Sequence, residues 1–271
     1  MSEEPNPKIG LISGEGDFPL ILAKELQNLG YEIVAITFSR GQEKRLKELA
    51  SKVHQIYLGQ LEKLMNIFKK EGVTDLVFLG KIDKSLALRL SLPDKRAFKL
   101  WKRLSNREDN TLLKALAEEL EKEGFRVRGP AEFLQNFLVE EGCYTERRPD
   151  EEEWADIRYG LRIAKAIGEL DIGQCVVIKD RMTVAVEAME GTDATILRGG
   201  RLRNQAVVIK IAKPHQDIRL DLPVVGLHTL ENLVKAKAAV LALEAGRTFF
   251  LQRKRAIELA NRYKISIVGV R

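Results

Sequence analysis

Short apolar runs alternate with longer amphipathic stretches through the first half of the chain, and this rhythm limits the possible folds most strongly. Lys8–Ile12 reads as a buried strand, and Gly14–Asp17 turns the chain into a helix over Pro19–Leu29, with proline in the tolerant first turn. Gly30 ends that helix. A strand at Glu32–Thr37, a helix near Glu43–Ser51, a strand at Val53–Tyr57, a helix over Leu61–Glu71 and a strand at Asp75–Leu79 follow. Thr111–Glu123, Phe125–Arg128 and Ala131–Glu140 read as a closing helix, strand and helix. Strands separated by helices predict a parallel sheet covered on both faces, a Rossmann-like domain.

At Tyr144–Glu153 the composition shifts to a polar, charge-dense, proline-bearing run, so the domains are expected to divide into 1–145 and 146–271. The second half reads as a helix over Trp154–Leu170 and a strand pair, Val176–Lys179 and Met182–Glu187, around Asp180-Arg181. Strands at Ala206–Ile211 and Leu222–Val225 and a helix over Leu230–Ala238 come next. The end runs strand (Arg247–Leu251), helix (Arg253–Arg262), strand (Ile265–Val270). The expected class is α/β, with a Rossmann-like parallel-sheet domain, a distinct α/β C-terminal domain and a substrate cleft between them.

The chain has 271 residues, 45% hydrophobic and 31% charged, which is enough to bury a sizeable core. No apolar run nears the roughly 18 residues of a bilayer span, and the acidic, polar Met1–Pro5 stretch does not read as a secretory signal. Cys143 and Cys175 lack metal-type spacing and read as reduced thiols of a cytosolic protein. The balance of 45 Lys+Arg against 39 Asp+Glu gives +6, with both signs dispersed. That charge suits a phosphorylated substrate or an anionic membrane surface. No basic-aromatic interleaving argues for nucleic acid.

Gly14, Gly16 and Asp17 lie between the first strand and its helix, where backbone N–H groups can hold phosphate. Two glycines of the dinucleotide pattern are present, and the second strand ends Ser39-Arg40 without a ribose-binding acid. A plain NAD site is therefore disfavoured, and an NADP-dependent oxidoreductase stays as the alternative reading. Gly80 and Lys81 sit at the carboxyl end of another predicted strand, where open α/β sheets bind ligands. Asp109-Asn110 stands at the start of a helix as a cap. In Ser85–Leu104 a leucine-rich segment runs into a basic amphipathic helix, which suits acyl-chain or membrane contact as well as packing on its own domain. His54, His215 and His228 are too scattered for a zinc motif.

The densest chemistry is in the second half. Lys213 to Gly226 carries Asp217, Arg219 and Asp221 between apolar strand-like segments, and Glu187 to Asp193 forms a second acidic cluster containing Thr192. Burying charge costs several kcal/mol unless it is paired or bound to a cation. Acids at the ends of core strands thus suggest a site for a divalent cation and a phosphorylated ligand, weighed against simple strand-end salt bridges.

Asp171-Ile172-Gly173-Gln174, Ala185-Val186-Glu187-Ala188-Met189-Glu190-Gly191-Thr192-Asp193-Ala194 and Lys213-Pro214 through Gly226 together resemble the motifs of UDP-2,3-diacylglucosamine pyrophosphatases of the LpxI type. Gly10-Leu11-Ile12-Ser13-Gly14-Glu15-Gly16-Asp17-Phe18-Pro19 resembles the opening of that family. The resemblance implies a Mg²⁺-dependent hydrolase (Mn²⁺ as the alternative metal) that splits UDP-2,3-diacylglucosamine into UMP and 2,3-diacylglucosamine 1-phosphate, lipid X, in lipid A biosynthesis. Water attacks the sugar-side phosphorus. It also implies work at the cytoplasmic face of the inner membrane. Asp221 is expected to hold metal or orient water, with Asp193 and Asp217 in support. Thr192, Lys81, Lys213 and Arg219 are expected at phosphate oxygens, and Gly14, Gly16, Asp17, Gly80, Asp109 and Asn110 on the substrate side. Asp109-Asn110 stands where many members have two acids. A non-enzymatic membrane-surface protein is the third reading, and the sequence leaves the oligomeric state, a homodimer included, open.

Overall fold

The computed structural model describes residues 6–81, 93–103 and 109–271, with Asp109 and Asn110 described by their backbone. The chain forms two units. One comprises Met1–Gln135 with Asp217–Asp221, and the other Asn136–Gln216 with Leu222–Arg271.

The first unit is built on β1 (Lys8–Ser13), β2 (Glu32–Thr37), β3 (Lys52–Gln55), β4 (Asp75–Leu79) and β5 (Arg126–Arg128), in the order β3-β2-β1-β4-β5. Every pairing is parallel. Its helices are α1 (Phe18–Asn28), α2 (Arg40–Leu46), α3 (Leu61–Lys70), α4 (Lys95–Arg103) and α5 (Asp109–Lys122). Ile12, Val34, Ile36, Leu76 and Phe78 pack with Leu64 and Phe68 of α3 and Leu120 of α5. The alternate set Ile9, Leu11, Ile33, Ala35 and Val77 is equally buried. Side chains alternate across a strand, so both faces of the sheet are covered, as the unbroken apolar runs predict.

The second unit has a six-stranded sheet of β6 (Gly142–Cys143), β7 (Cys175–Lys179), β8 (Met182–Val186), β9 (Val207–Lys210), β11 (Val240–Glu244) and β13 (Ser266–Val270), in the order β6-β13-β11-β9-β7-β8. The three inner strands β13, β11 and β9 are parallel to one another, and the flanking strands are antiparallel. β10 (Val224–Val225) and β12 (Phe249–Phe250) form a short parallel ribbon. α6 (Glu151–Glu169) covers one face of the sheet. The other face packs on α7 (Thr192–Leu202), α8 (Leu227–Lys235) and α9 (Arg253–Arg262).

The α/β class with a Rossmann-like sheet and a separate α/β unit is therefore borne out, and particular elements differ. Ala131–Glu140 is two single 3₁₀ turns, Pro130–Glu132 and Gln135–Phe137, rather than a helix. Leu138 bridges Phe249 and the Val139 N–H donates to the Thr248 carbonyl at 2.9 Å, so strand-like pairing takes the backbone groups that a helix would need. α2 starts at Arg40 because Ser39 caps it, its hydroxyl accepting from the Gln42 N–H at 3.2 Å. α7 escapes a propensity reading because it carries Gly199 and Gly200. A Cβ on Gly199 would lie 2.8 Å from Val177 and one on Gly200 2.5 Å from the Ala236 Cα, so these glycines let α7 press onto β7 and α8. β11 is hidden in an apolar run continuous with the end of α8, which periodicity alone cannot divide. The charged run before α6 is put to structural use. Asp150 and Glu153 form a capping box, and the buried Glu153 takes Arg147 at 2.5 Å.

Candidate functional site

In the first unit the polar chemistry collects at the carboxyl ends of β1 and β4. The chain places β2 and β3 on one side of β1 and β4 on the other, so these two ends flank the point where the strand order reverses. Open α/β sheets bind ligands there. Two glycines let the loops close on each other. The Gly14 N–H donates to Leu79 O at 2.8 Å and Glu15 N–H to Lys81 O at 2.7 Å. A Cβ on Gly14 would stand 2.4 Å from Lys81 O, and one on Gly80 (φ +106°) 2.7 Å from Pro19 Cγ. Gly16, Asp17, Gly80 and Lys81 are exposed at this rim, and Asp17 pairs with Arg45. Sequence reading missed Gln42. It is 1% exposed, and its amide donates to Gly16 O at 3.0 Å and Ser13 Oγ at 3.4 Å, bracing the turn from below. Nothing in the local sequence marks it, because its partners lie 26 and 29 residues away. Ser39, the hydroxyl that kept an NADP reading open, is spent on the α2 cap. Asp109 and Asn110 open α5, and their side chains lie outside the described residues.

Asp217–Asp221, from the late part of the sequence, belongs to this same unit. Leu220 anchors it in the core beside Ile12, Phe78 and Val127. Arg219 grips both oxygens of Asp217, at 3.1 Å and 2.8 Å, and reaches Glu121 of α5 at 2.7 Å. The guanidinium holds the Asp217 carboxyl below the usual carboxylate range, and the two acids hold the Arg219 value up. Gly129 admits Arg219, whose Cα would stand 3.4 Å from a Cβ there. Between the buried Leu220 and Leu222, Asp221 turns outward and is exposed, its N–H held by Asp217 O at 3.2 Å. Asp217 and Arg219 thus form a brace, and Asp221 is the carboxylate that the brace presents.

In the second unit Thr192 and Asp193 open α7 after Gly191 (φ +81°). Thr192 Oγ1 donates to Glu187 Oε1 at 3.0 Å, and Asp193 stands 3.4 Å from His228 Nε2 at the start of α8. The other oxygen of the buried Glu187 accepts from the Gln174 N–H at 3.3 Å. A Cβ on Gly173 would lie 2.1 Å from Glu187 O, which explains the glycine in Asp171-Ile172-Gly173-Gln174. Lys213 pairs with Asp171. The D-x-G-Q and acidic motifs are therefore joined through Glu187, a contact that neither run shows alone. Among the described residues no three His, Cys, Asp or Glu side chains gather as a metal cluster.

Comparison with known proteins divides the chain at nearly the same point, with residues 217–221 inside the C-terminal match. Residues 8–137 match the LpxI N-terminal domain and residues 140–268 the LpxI C-terminal domain. The chain is 30% identical over 275 aligned positions to the UDP-2,3-diacylglucosamine pyrophosphatase LpxI of Caulobacter vibrioides, covering 97% of each protein. Among solved structures it is similar to the Cj0485 dehydrogenase, at 21% identity over 45% of this chain and 50% of that one, with a TM-score of 0.26. It is also similar to N5-carboxyaminoimidazole synthetase of Staphylococcus aureus, at 16% identity over 63% and 38%, with a TM-score of 0.25. Likeness at that level carries no argument about function. The two domain matches and the full-length relative do, and the chain belongs to the LpxI family.

Proposed function

We propose that this protein hydrolyses the pyrophosphate of UDP-2,3-diacylglucosamine to UMP and 2,3-diacylglucosamine 1-phosphate. The observation that carries the reading is the full-length match to a UDP-2,3-diacylglucosamine pyrophosphatase, with both family domains in order. The chemistry in each unit supports it. Water adds to the sugar-side phosphorus, the bond from that phosphorus to the bridging oxygen breaks, the oxygen leaves with UMP, and the water's proton passes to a base. Asp221 is the outward carboxylate suited to orient that water or to hold a cation. Asp217 and Arg219 position it, Asp193 acts in support, and Thr192, Lys81 and Lys213 are the candidates for phosphate oxygens.

Mg²⁺ keeps most of its waters and takes one or two carboxylates plus substrate phosphates. One or two carboxylates meet that demand, and Asp221 is the exposed carboxylate that would hold the ion. When bound, the ion would neutralise phosphate charge. Purified protein should release UMP from UDP-2,3-diacylglucosamine, and EDTA should suppress the release. Absence of UMP release in Mg²⁺ or Mn²⁺ would refute the reading.

A diacylated substrate suits work at a membrane surface, proposed here as the cytoplasmic face of the inner membrane, and α4 offers a surface for it. Its inner side, Ala97 and Leu100, packs on the core, while Arg96 meets Glu119 at 3.1 Å and pairs with Glu123. Outside, Phe98 and Trp101 are 49% and 45% exposed among the exposed cations Lys95, Lys99, Lys102 and Arg103. Aromatic rings ringed by cations suit an anionic headgroup layer. No helix among the described residues is long and apolar enough to cross a membrane. Residues 85–92 and 104 of the Ser85–Leu104 segment lie outside the described residues. The double substitution F98E/W101E should lower cosedimentation with phosphatidylglycerol vesicles about tenfold or more and leave binding to phosphatidylcholine unchanged. Equal sedimentation of variant and parent would remove α4 from the account.

A further inference from the structure

Lys210 is the last residue of β9 and is 6% exposed. It interrupts an otherwise apolar strand, Val207-Val208-Ile209, and among the described residues its ammonium makes one hydrogen bond, to the Val224 carbonyl at 3.1 Å. It has no ion pair among the described residues. An ammonium carries three donors and a full charge, and burying it against a single neutral carbonyl leaves most of its desolvation cost uncompensated.

Its surroundings are ordered. Lys210 lies opposite Cys175 on one side and Leu243 on the other. The Glu187 N–H donates to Cys175 O at 2.9 Å, which places Glu187, Cys175 and Lys210 in one row across three strands. Cys175 packs in the core under α7 and α8. Burial, reinforced by Glu187, pushes its thiol up and keeps it neutral. Each oxygen of Glu187 accepts one hydrogen bond, from Thr192 and from the Gln174 N–H, and no ion pair joins Glu187 to Lys210 among the described residues. Val224 lies just before Gly226, from which α8 starts.

We infer that Lys210 is an anion-binding residue whose ammonium takes a phosphoryl oxygen of the pyrophosphate, at the end of β9 and beside the start of α8. The inference rests on the hydrolase reading above and adds to it a buried cation outside the motifs that carry the family resemblance. A lysine that merely tethers Val224 would leave anion binding untouched when replaced.

The probe is inorganic pyrophosphate, measured by calorimetry and by its effect on thermal unfolding of the full chain. Wild type should bind it and be stabilised. K210M should fold, as buried charges replaced by apolar groups of similar volume often do, yet bind pyrophosphate at least tenfold more weakly and lose the thermal shift. K210Q repeats the test if K210M does not fold, and K210R, which keeps the charge, should bind better than either. Wild-type pyrophosphate binding that is absent, or that is equal in the neutral variants, overturns the inference. The two readings separate cleanly. UMP release by wild type with unchanged pyrophosphate affinity in K210M removes Lys210 alone. Lysine-dependent pyrophosphate binding without UMP release removes the hydrolase and keeps the site.

Discussion

Asp221→Ala should lower kcat for UMP release by about 10³-fold, the scale expected when a positioned acid–base or cation-holding carboxylate is lost. Substrate affinity should change little, because the phosphate and apolar contacts of the substrate belong to other residues. Folding should survive as well. Asp221 is exposed, and surface substitutions usually shift stability by within about 0.5 kcal/mol. Asp217→Asn makes the informative comparison. Asp217 is already committed to Arg219, so its loss should act through the placement of Asp221 and cost less in kcat. If Asp221→Ala turned over like the parent, the outward carboxylate would have no part in the chemistry.

The second large effect is on stability. Gly80→Ala should destabilise the protein by roughly 2–6 kcal/mol. A non-glycine residue held at unfavourable φ costs about 1–3 kcal/mol, and forcing an extra carbon into a packed site costs about 1–3 kcal/mol more. Gly80 incurs both costs, with φ +106° and a Cβ position 2.7 Å from Pro19 Cγ and 2.8 Å from Gly14 C. Gly16→Ala is the control. Its φ is +105°, but no atom lies within 4 Å of its Cβ position, so it should show the backbone cost alone. Urea midpoints for the two variants measure the difference. Equal losses would mean that the β1 and β4 loops are not closed as tightly as their hydrogen bonds imply.

These residues also show what the sequence could disclose. Strand and helix rhythm in the first half made the parallel sheet legible, because strands buried on both faces carry apolar runs of a length that helices do not mimic. Asp75–Leu79 and Arg253–Arg262 were readable to the residue. The helix Thr192–Leu202 and the strand Val240–Glu244 were not. In the first, glycines demanded by close packing lower helix propensity, and in the second, burial erases periodicity. The glycine turn, Lys81, the paired motifs and Asp221 stand out in the sequence because each interrupts an apolar pattern with chemistry. Gln42 was not, since its role depends on partners distant in the chain. The membership of Asp217–Asp221 in the first unit was equally hidden, because only tertiary packing of Leu220 and the Arg219–Glu121 pair fixes it. Lys210 stood at the end of an apolar strand, yet its single hydrogen bond among the described residues, to Val224, shows only in the fold.

The central claim is that water splits a diphosphate linkage here, at the phosphorus next to the sugar. Hydrolysis of UDP-2,3-diacylglucosamine in ¹⁸O-labelled water, with both products weighed by mass spectrometry, tests it most directly. One ¹⁸O atom is predicted in 2,3-diacylglucosamine 1-phosphate and none in UMP. Label in UMP, or intact substrate after incubation with active metal present, would contradict it.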